Sequence, residues 1–180
     1  MSLAMSFGAL NLGFMTIVRE PCGYVGGYLV VNSWGRPLEF RLSSPVQPSR
    51  VQQILYGRSL DAYVCADLIG KALVDKTATP VLVMVTDIES VLEIRQHLET
   101  PVAWLAPSGD PGAQAGAGAE IYEGSAERGP IHCHPRFPGD KKTISEMLAR
   151  LGGKLDLSEP FVRIRDAISE ARKMGVASNG

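Results

Sequence analysis

The spacing of apolar residues changes period several times along the chain, and each change marks an element. Over residues 9–18, Leu10, Leu12, Phe14 and Val18 recur with Thr16 in phase, the two-residue period of a strand, which ends at Glu20-Pro21. A glycine-rich turn is expected from Cys22 to Gly27, and then "YLVVN" and "PLEFRLS" read as strands joined through "SWGR". In the last of these, Leu38, Phe40 and Leu42 share one face and Glu39, Arg41 and Ser43 the other. That pattern predicts one covered face and one wet face.

From Pro48 the period lengthens to that of a helix. Val51, Ile54 and Leu55 form an apolar stripe ended by Gly57, and Ser59 opens a second helix with Leu60, Tyr63, Val64 and Leu68 inward, which ends or bends at Gly70. "PVLVMV" (80–85) is continuously apolar, as in a strand buried on both faces. Thr86-Asp87-Ile88-Glu89 has the form of a capping box, and Ile88, Val91, Leu92 and Leu98 follow at helical spacing before the strand "VAWLA". This stretch predicts a β-α-β unit with two parallel strands.

Residues 106–120, "APSGDPGAQAGAGAE", have almost no apolar bulk and predict a flexible loop, or a linker between two sub-domains. "EIYEG" and "PIHCH" are further strands. A helix with Ile144, Met147, Leu148 and Leu151 on one face opens on Thr143-x-x-Glu146 and closes on Gly152-Gly153. A last helix runs from Ser158 to about Met174 with Phe161, Ile164 and Ile168 inward.

The expected class is therefore α+β: an N-terminal antiparallel meander, then a β-α-β unit and two C-terminal helices. One mixed sheet with helices on one face is the simplest closure. At 180 residues the chain fits a single domain spanning 1–180 with a core large enough to fold without disulfides or metal. Cys22, Cys65 and Cys133 are odd in number and far apart, which argues against a disulfide framework and for a reducing compartment. Residues 1–18 carry no charge, yet they lack a basic n-region and show strand alternation, so the chain reads as cytoplasmic and not membrane-bound.

Net charge is −1, which disfavours nucleic acid as a partner. Residues 1–60 carry five Lys or Arg against two acids and 131–180 carry nine against six, while 61–130 carry four against eleven. Basic ends and an acidic middle are read as solvated faces first and as a contact surface second.

Few residues speak of chemistry. His132-Cys133-His134 puts two of the three histidines beside one cysteine. On a strand His132 and His134 share a face and Cys133 lies on the other, so two imidazoles could bind Zn²⁺ if further ligands came from elsewhere. The competing expectation is that Ile131 and Cys133 pack inward while both histidines face solvent. Asp87 follows a buried strand, where α/β folds place ligands and catalytic carboxylates, though helix capping explains its position as well. "GYVGGY" and "GAQAGAGA" lack the features of phosphate-binding loops.

Trp34-Gly35-Arg36 at a hairpin tip, with Arg41 nearby, is the best interaction handle, and Trp34 could equally fold back over the core edge. The leading expectation is a non-catalytic module that binds a protein partner or self-assembles, with no cofactor. The first alternative is a metal-binding protein or metal-dependent enzyme centred on His132 and His134, with Cys133 and Asp87 as further candidates. The second is a single-stranded nucleic-acid-binding module using Arg19, Arg36, Arg41, Arg50 and Arg58 with Tyr24, Tyr28 and Trp34 nearby.

Overall fold

A computed structural model describes residues 10–107, 120–122 and 130–178. The expected loop at 106–120 falls mostly on residues outside the described ones, as do residues 1–9. Seven strands form one mixed sheet in the order β3-β2-β1-β4-β5-β7-β6. They are β1 (Leu12–Glu20), β2 (Gly23–Val31), β3 (Pro37–Leu42), β4 (Val83–Thr86), β5 (Val102–Leu105), β6 (Glu120–Tyr122) and β7 (Ile131–Cys133).

The meander β1-β2-β3 is antiparallel, β4 and β5 run parallel to β1, and β7 returns antiparallel to β5. This is the α+β architecture that the periodicities predict. The helices depart from expectation first in that they cover both faces of the sheet.

One face is closed by α3 (Asp140–Leu151) and α4 (Glu159–Ser178), whose Ile144, Met147, Phe161, Ile164 and Ile168 pack on Leu12, Phe14, Val83, Val85, Ile131 and Cys133. The other is closed by α2, a continuous helical run over Leu60–Ala62, Tyr63–Gly70 and Lys71–Asp75 with a π-helical middle, and by a 3-10 helix, Glu89–His97. Here Val64, Ile69, Leu73, Val91 and Ile94 pack on Met15, Ile17, Tyr28, Val30, Met84 and Trp104. The two-residue period in β1 does not distinguish these cases, since the alternate positions Met15 and Ile17 are apolar too.

Glycines set how closely the layers approach. "GYVGGY" is not a turn: Gly26 and Gly27 lie inside β2, on opposite faces. A Cβ on Gly26 would stand 2.4 Å from Ile69 Cγ2, and one on Gly27 2.4 Å from Ile164 Cγ2. Their bare backbones are what lets α2 and α4 sit down on the sheet.

Local corrections follow the same logic of packing over pattern. The helix α1 (Arg50–Tyr56) is capped by Ser49 and Gln52, but its apolar stripe faces water: Val51, Ile54 and Leu55 are 63%, 65% and 77% exposed. Gly70 does not end α2, because a Cβ there would meet Cys65 O at 2.8 Å and the π-helical turn uses that space. Leu38, Phe40 and Leu42 of β3 remain partly exposed. The helix α3 starts at Asp140, so Thr143 lies inside it and does not cap it, while Gly152 closes it in the left-handed region at φ 54°.

Among the described residues, no helix is long and apolar enough to cross a membrane. Two outcomes test the packing. Gly27→Ala should destabilise the protein by about 1–3 kcal/mol through overpacking against Ile164, read from the denaturant midpoint. The second concerns thiols. Cys22 is exposed, whereas Cys65 and Cys133 are buried, and burial pushes the Cys65 thiol up to about 12. A thiol reagent at pH 8 should therefore label one cysteine rapidly in the native protein and three after denaturation.

Candidate functional site

β1 and β4 lie side by side and parallel at the centre of the sheet, with Met15 opposite Thr86. Beyond this pair the chain leaves in opposite directions: β1 turns back into β2 on one side, and β4 continues through the 3-10 helix to β5 on the other. Such a divergence opens a crevice outside the carboxyl ends of the strands, the position where open α/β sheets bind ligands.

Two side chains from these strand ends and one from α4 converge there. Thr16 is fully buried on the α4 side of β1. Asp87 follows Thr86 at the end of β4, its side chain 17% exposed. Arg165 reaches down from α4 and donates from Nη2 both to Asp87 Oδ2 and, at 3.4 Å, to Thr16 Oγ1. Arg165 stays 44% exposed, so the guanidinium bridges the crevice floor to solvent.

Asp87 is not a helix cap. The Thr86 hydroxyl accepts from Ile88 N at 3.1 Å instead, and the 3-10 helix begins without a side-chain cap. The second Asp87 oxygen, Oδ1, is buried with no hydrogen-bond partner. A carboxylate that lies half in its ion pair and half unsatisfied is a poor structural choice, since an unmade bond to a buried charged group costs about 1–3 kcal/mol or more.

Two further arginine–carboxylate pairs stand at this end of the sheet. Arg172 of α4 pairs with Glu20 at the end of β1. Arg19 pairs with Asp61 of α2 at 2.6 Å and lies over the Tyr24 ring, 4.9 Å from its centroid. Tyr24 Oη donates to the same Asp61 at 2.9 Å, and partial burial together with that carboxylate raises the phenol above its usual range. In each pair the carboxylate fixes one edge of the guanidinium and leaves further N–H donors for a ligand.

The other expected site residues lie elsewhere. His132 and His134 are buried, 5% and 2% exposed, because the 3-10 helix side of the sheet is covered; neither faces solvent. His132 is tilted against Trp104 at 5.0 Å, and none of its ring nitrogens has a hydrogen-bond partner, nor does Trp104 Nε1. His134 Nδ1 accepts from Arg136 N at 3.1 Å. Its Nε2 lies 3.3 Å from Glu93 Oε2, within ion-pair reach but off the hydrogen-bond direction. Cys133 points to the opposite face. Among the described residues, no group of three or more His, Cys, Asp or Glu side chains is placed to hold a metal ion, so the histidine pair gains no third ligand for Zn²⁺.

Arg41 is committed to Glu39 at 3.1 Å. Glu39 also accepts from the Thr79 hydroxyl and the Ala78 and Thr79 amides, which together outweigh its desolvation and hold its carboxyl below the usual range. Trp34 does not fold back over the core: it is 72% exposed at the β2–β3 hairpin, at the end of the sheet opposite the crevice.

Sequence reasoning named Asp87 as a candidate and did not name Arg165, Arg172 or Thr16. A visible signal was the position of Arg165 and Arg172 one residue past Ile164 and four past Ile168, on the rim of the buried stripe of α4.

No family model matches the chain, and no curated protein matches it. Solved structures do. The crystal structure of endonuclease V from Bacillus subtilis aligns over 91% of this chain and 81% of that one, with 13% identity and a TM-score of 0.50. Endonuclease V from Ciona intestinalis, in complex with a 23mer DNA containing an inosine followed by a ribo-adenosine, aligns over 78% of this chain and 77% of that one, with 9% identity and a TM-score of 0.37. The Bacillus subtilis likeness corrects the expectation of a protein-binding or self-assembling module, and with it the disfavouring of nucleic acid. Net charge and motif content missed the relation because neither registers how strands and helices are arranged. The chain shares the fold of the Bacillus subtilis endonuclease V.

Proposed function

We propose that this protein binds nucleic acid at the carboxyl end of the central strands, with Arg165, Arg172 and Arg19 contacting phosphates. The observation that carries the reading is the shared fold with an endonuclease over nine-tenths of the chain, 91%. The chemistry there supports it: two guanidiniums of α4 and one of β1, 44%, 40% and 67% exposed, stand at the end of the sheet where an open sheet takes its ligand.

The charge balance shapes how such a site works. Each arginine already faces a carboxylate, so a phosphate must compete with Asp87, Glu20 or Asp61 for it. Binding then costs the displacement of an ion pair, and affinity is modest and strongly dependent on salt. The reading covers binding; the described residues bring one carboxylate to the crevice floor, Asp87, and an arginine engages it. A cytoplasmic location belongs to the same reading and rests on cysteines that are odd in number and far apart in the sequence.

Fluorescence anisotropy with labelled single strands and duplexes at low salt tests this. Wild type should bind with an affinity that falls as salt rises. Arg165→Ala and Arg172→Ala should each weaken binding and reduce the salt slope by about 1, as expected for loss of a phosphate contact. Arg41→Ala should change nothing, because Arg41 serves Glu39. Asp87→Asn should tighten binding several-fold by releasing Arg165 from its competitor. Absence of any binding at low salt, or weaker binding by the Asp87→Asn variant at unchanged melting temperature, would overturn the proposal.

A further inference from the structure

The hairpin between β2 and β3 presents a tryptophan that the core does not use. Trp34 is 72% exposed, and the ammonium of Lys154, from the turn after α3, lies 5.0 Å from its ring centroid. One face of the indole thus meets a cation, and the high exposure leaves the rest of the ring open to solvent. Large exposed aromatics are costly to keep in water, and this one is held in place from several directions.

The bracing is specific. Asn32 Oδ1 accepts from Trp34 N and from Arg36 N, both at 3.0 Å, closing the turn under the ring. Gly35 takes φ 76°, a conformation favouring glycine, and donates to Asn32 O at 2.9 Å. Arg163 of α4 donates to Gly35 O at 2.9 Å and pairs with Glu159 at 2.9 Å. A side chain at Gly35 would stand 3.0 Å from Leu155 Cδ1, so the hairpin rests directly on the segment that carries Lys154. The backbone of Trp34 is therefore fixed before any partner arrives, and little ordering entropy remains to be lost on binding.

Beside the ring the ammonium of Lys154 supplies a cation, while Arg163 is held by Gly35 O and Glu159 beneath the turn. An open aromatic face with a cation beside it suits a base with its phosphates. Bases in a duplex are already stacked on both sides, so only an unpaired base can lie on the indole. The same helix, α4, carries Arg163 at the hairpin and Arg165 at the crevice, which joins the two ends by one rigid element. Along β1, the step from Leu12, which pairs with Val31 at the hairpin end, to Thr16 at the crevice is about 13 Å.

We infer that Trp34 is a base-stacking platform for single-stranded nucleic acid, with Lys154 beside it for the phosphate backbone. The inference deepens the proposed nucleic-acid binding and rests on it, naming the strand state that the protein selects.

Anisotropy titrations with a labelled oligo-dT single strand and with a duplex of equal length test it. Trp34→Ala should weaken single-strand binding about 5- to 150-fold, the loss expected for one base–aromatic stack, while leaving the salt slope and duplex binding unchanged. Trp34→Phe should keep binding within a few-fold of wild type, and binding of the single strand should quench tryptophan emission in wild type but much less in Trp34→Phe. Single-strand affinity of Trp34→Ala equal to wild type, while Arg165→Ala still loses affinity, overturns the platform and leaves the crevice reading intact. A wild type that binds no nucleic acid overturns both, including the case in which Trp34 serves a protein partner.

Discussion

β1 is hydrogen-bonded along both edges and packed on both faces, and the other elements take their places from that. Leu12 and Phe14 point at α3 and α4, Met15 and Ile17 at α2 and the 3-10 helix, and the first four residues of this group leave almost no surface to solvent. A strand so placed requires a neighbour on each edge and a helical layer on each face, and here the neighbours are antiparallel β2 and parallel β4. Gly26 and Gly27 in β2 are the counterpart of that demand, because the helices can close only where the neighbouring strand has no Cβ in the way.

The candidate site is a by-product of the same geometry. A parallel pair at the sheet centre, with chain leaving it in opposite directions, opens a crevice at the strand ends. Thr16 is the polar position on the buried α4 side of β1, and it falls beside Asp87 because Met15 pairs with Thr86. Arg165 closes the group from α4, since Phe161 stacks edge-on against Phe14 at 5.5 Å and fixes the helix in register with the strand. The Arg165–Asp87 pair is half in water, so its net stabilisation is small and its main effect is to orient the guanidinium. An ion pair that contributes little to stability is easily traded for another anion.

Much of the fold was legible in residue spacing. Two-residue alternation located β1, β3 and β7, the continuous apolar run marked β4 as buried on both faces, and helical spacing gave α3 and α4 nearly to their ends. Failures came where a pattern has two physical explanations. An apolar stripe such as Val51, Ile54 and Leu55 reads as a core face whether or not another element covers it. Glycines in "GYVGGY" read as a turn, although a strand squeezed between two helices asks for them equally. The Thr86 to Glu89 capping box matched in letters, yet the extended backbone at Ile88 gave the Thr86 hydroxyl a nearer amide.

The sequence by itself determined which segments extend, which coil and which side of each is apolar, because those properties depend on neighbours a few residues apart. It also put the candidate Asp87 at the end of a buried strand. Only the tertiary structure decided that both sheet faces are covered, that His132 and His134 are interior and that Trp34 stands in water braced by Arg163. It alone brought Thr16, Asp87 and Arg165 together across separations of 78 and 149 positions. Contacts that distant are set by strand order and helix register, which are properties of the whole chain's packing and leave no periodic trace in any one stretch of it.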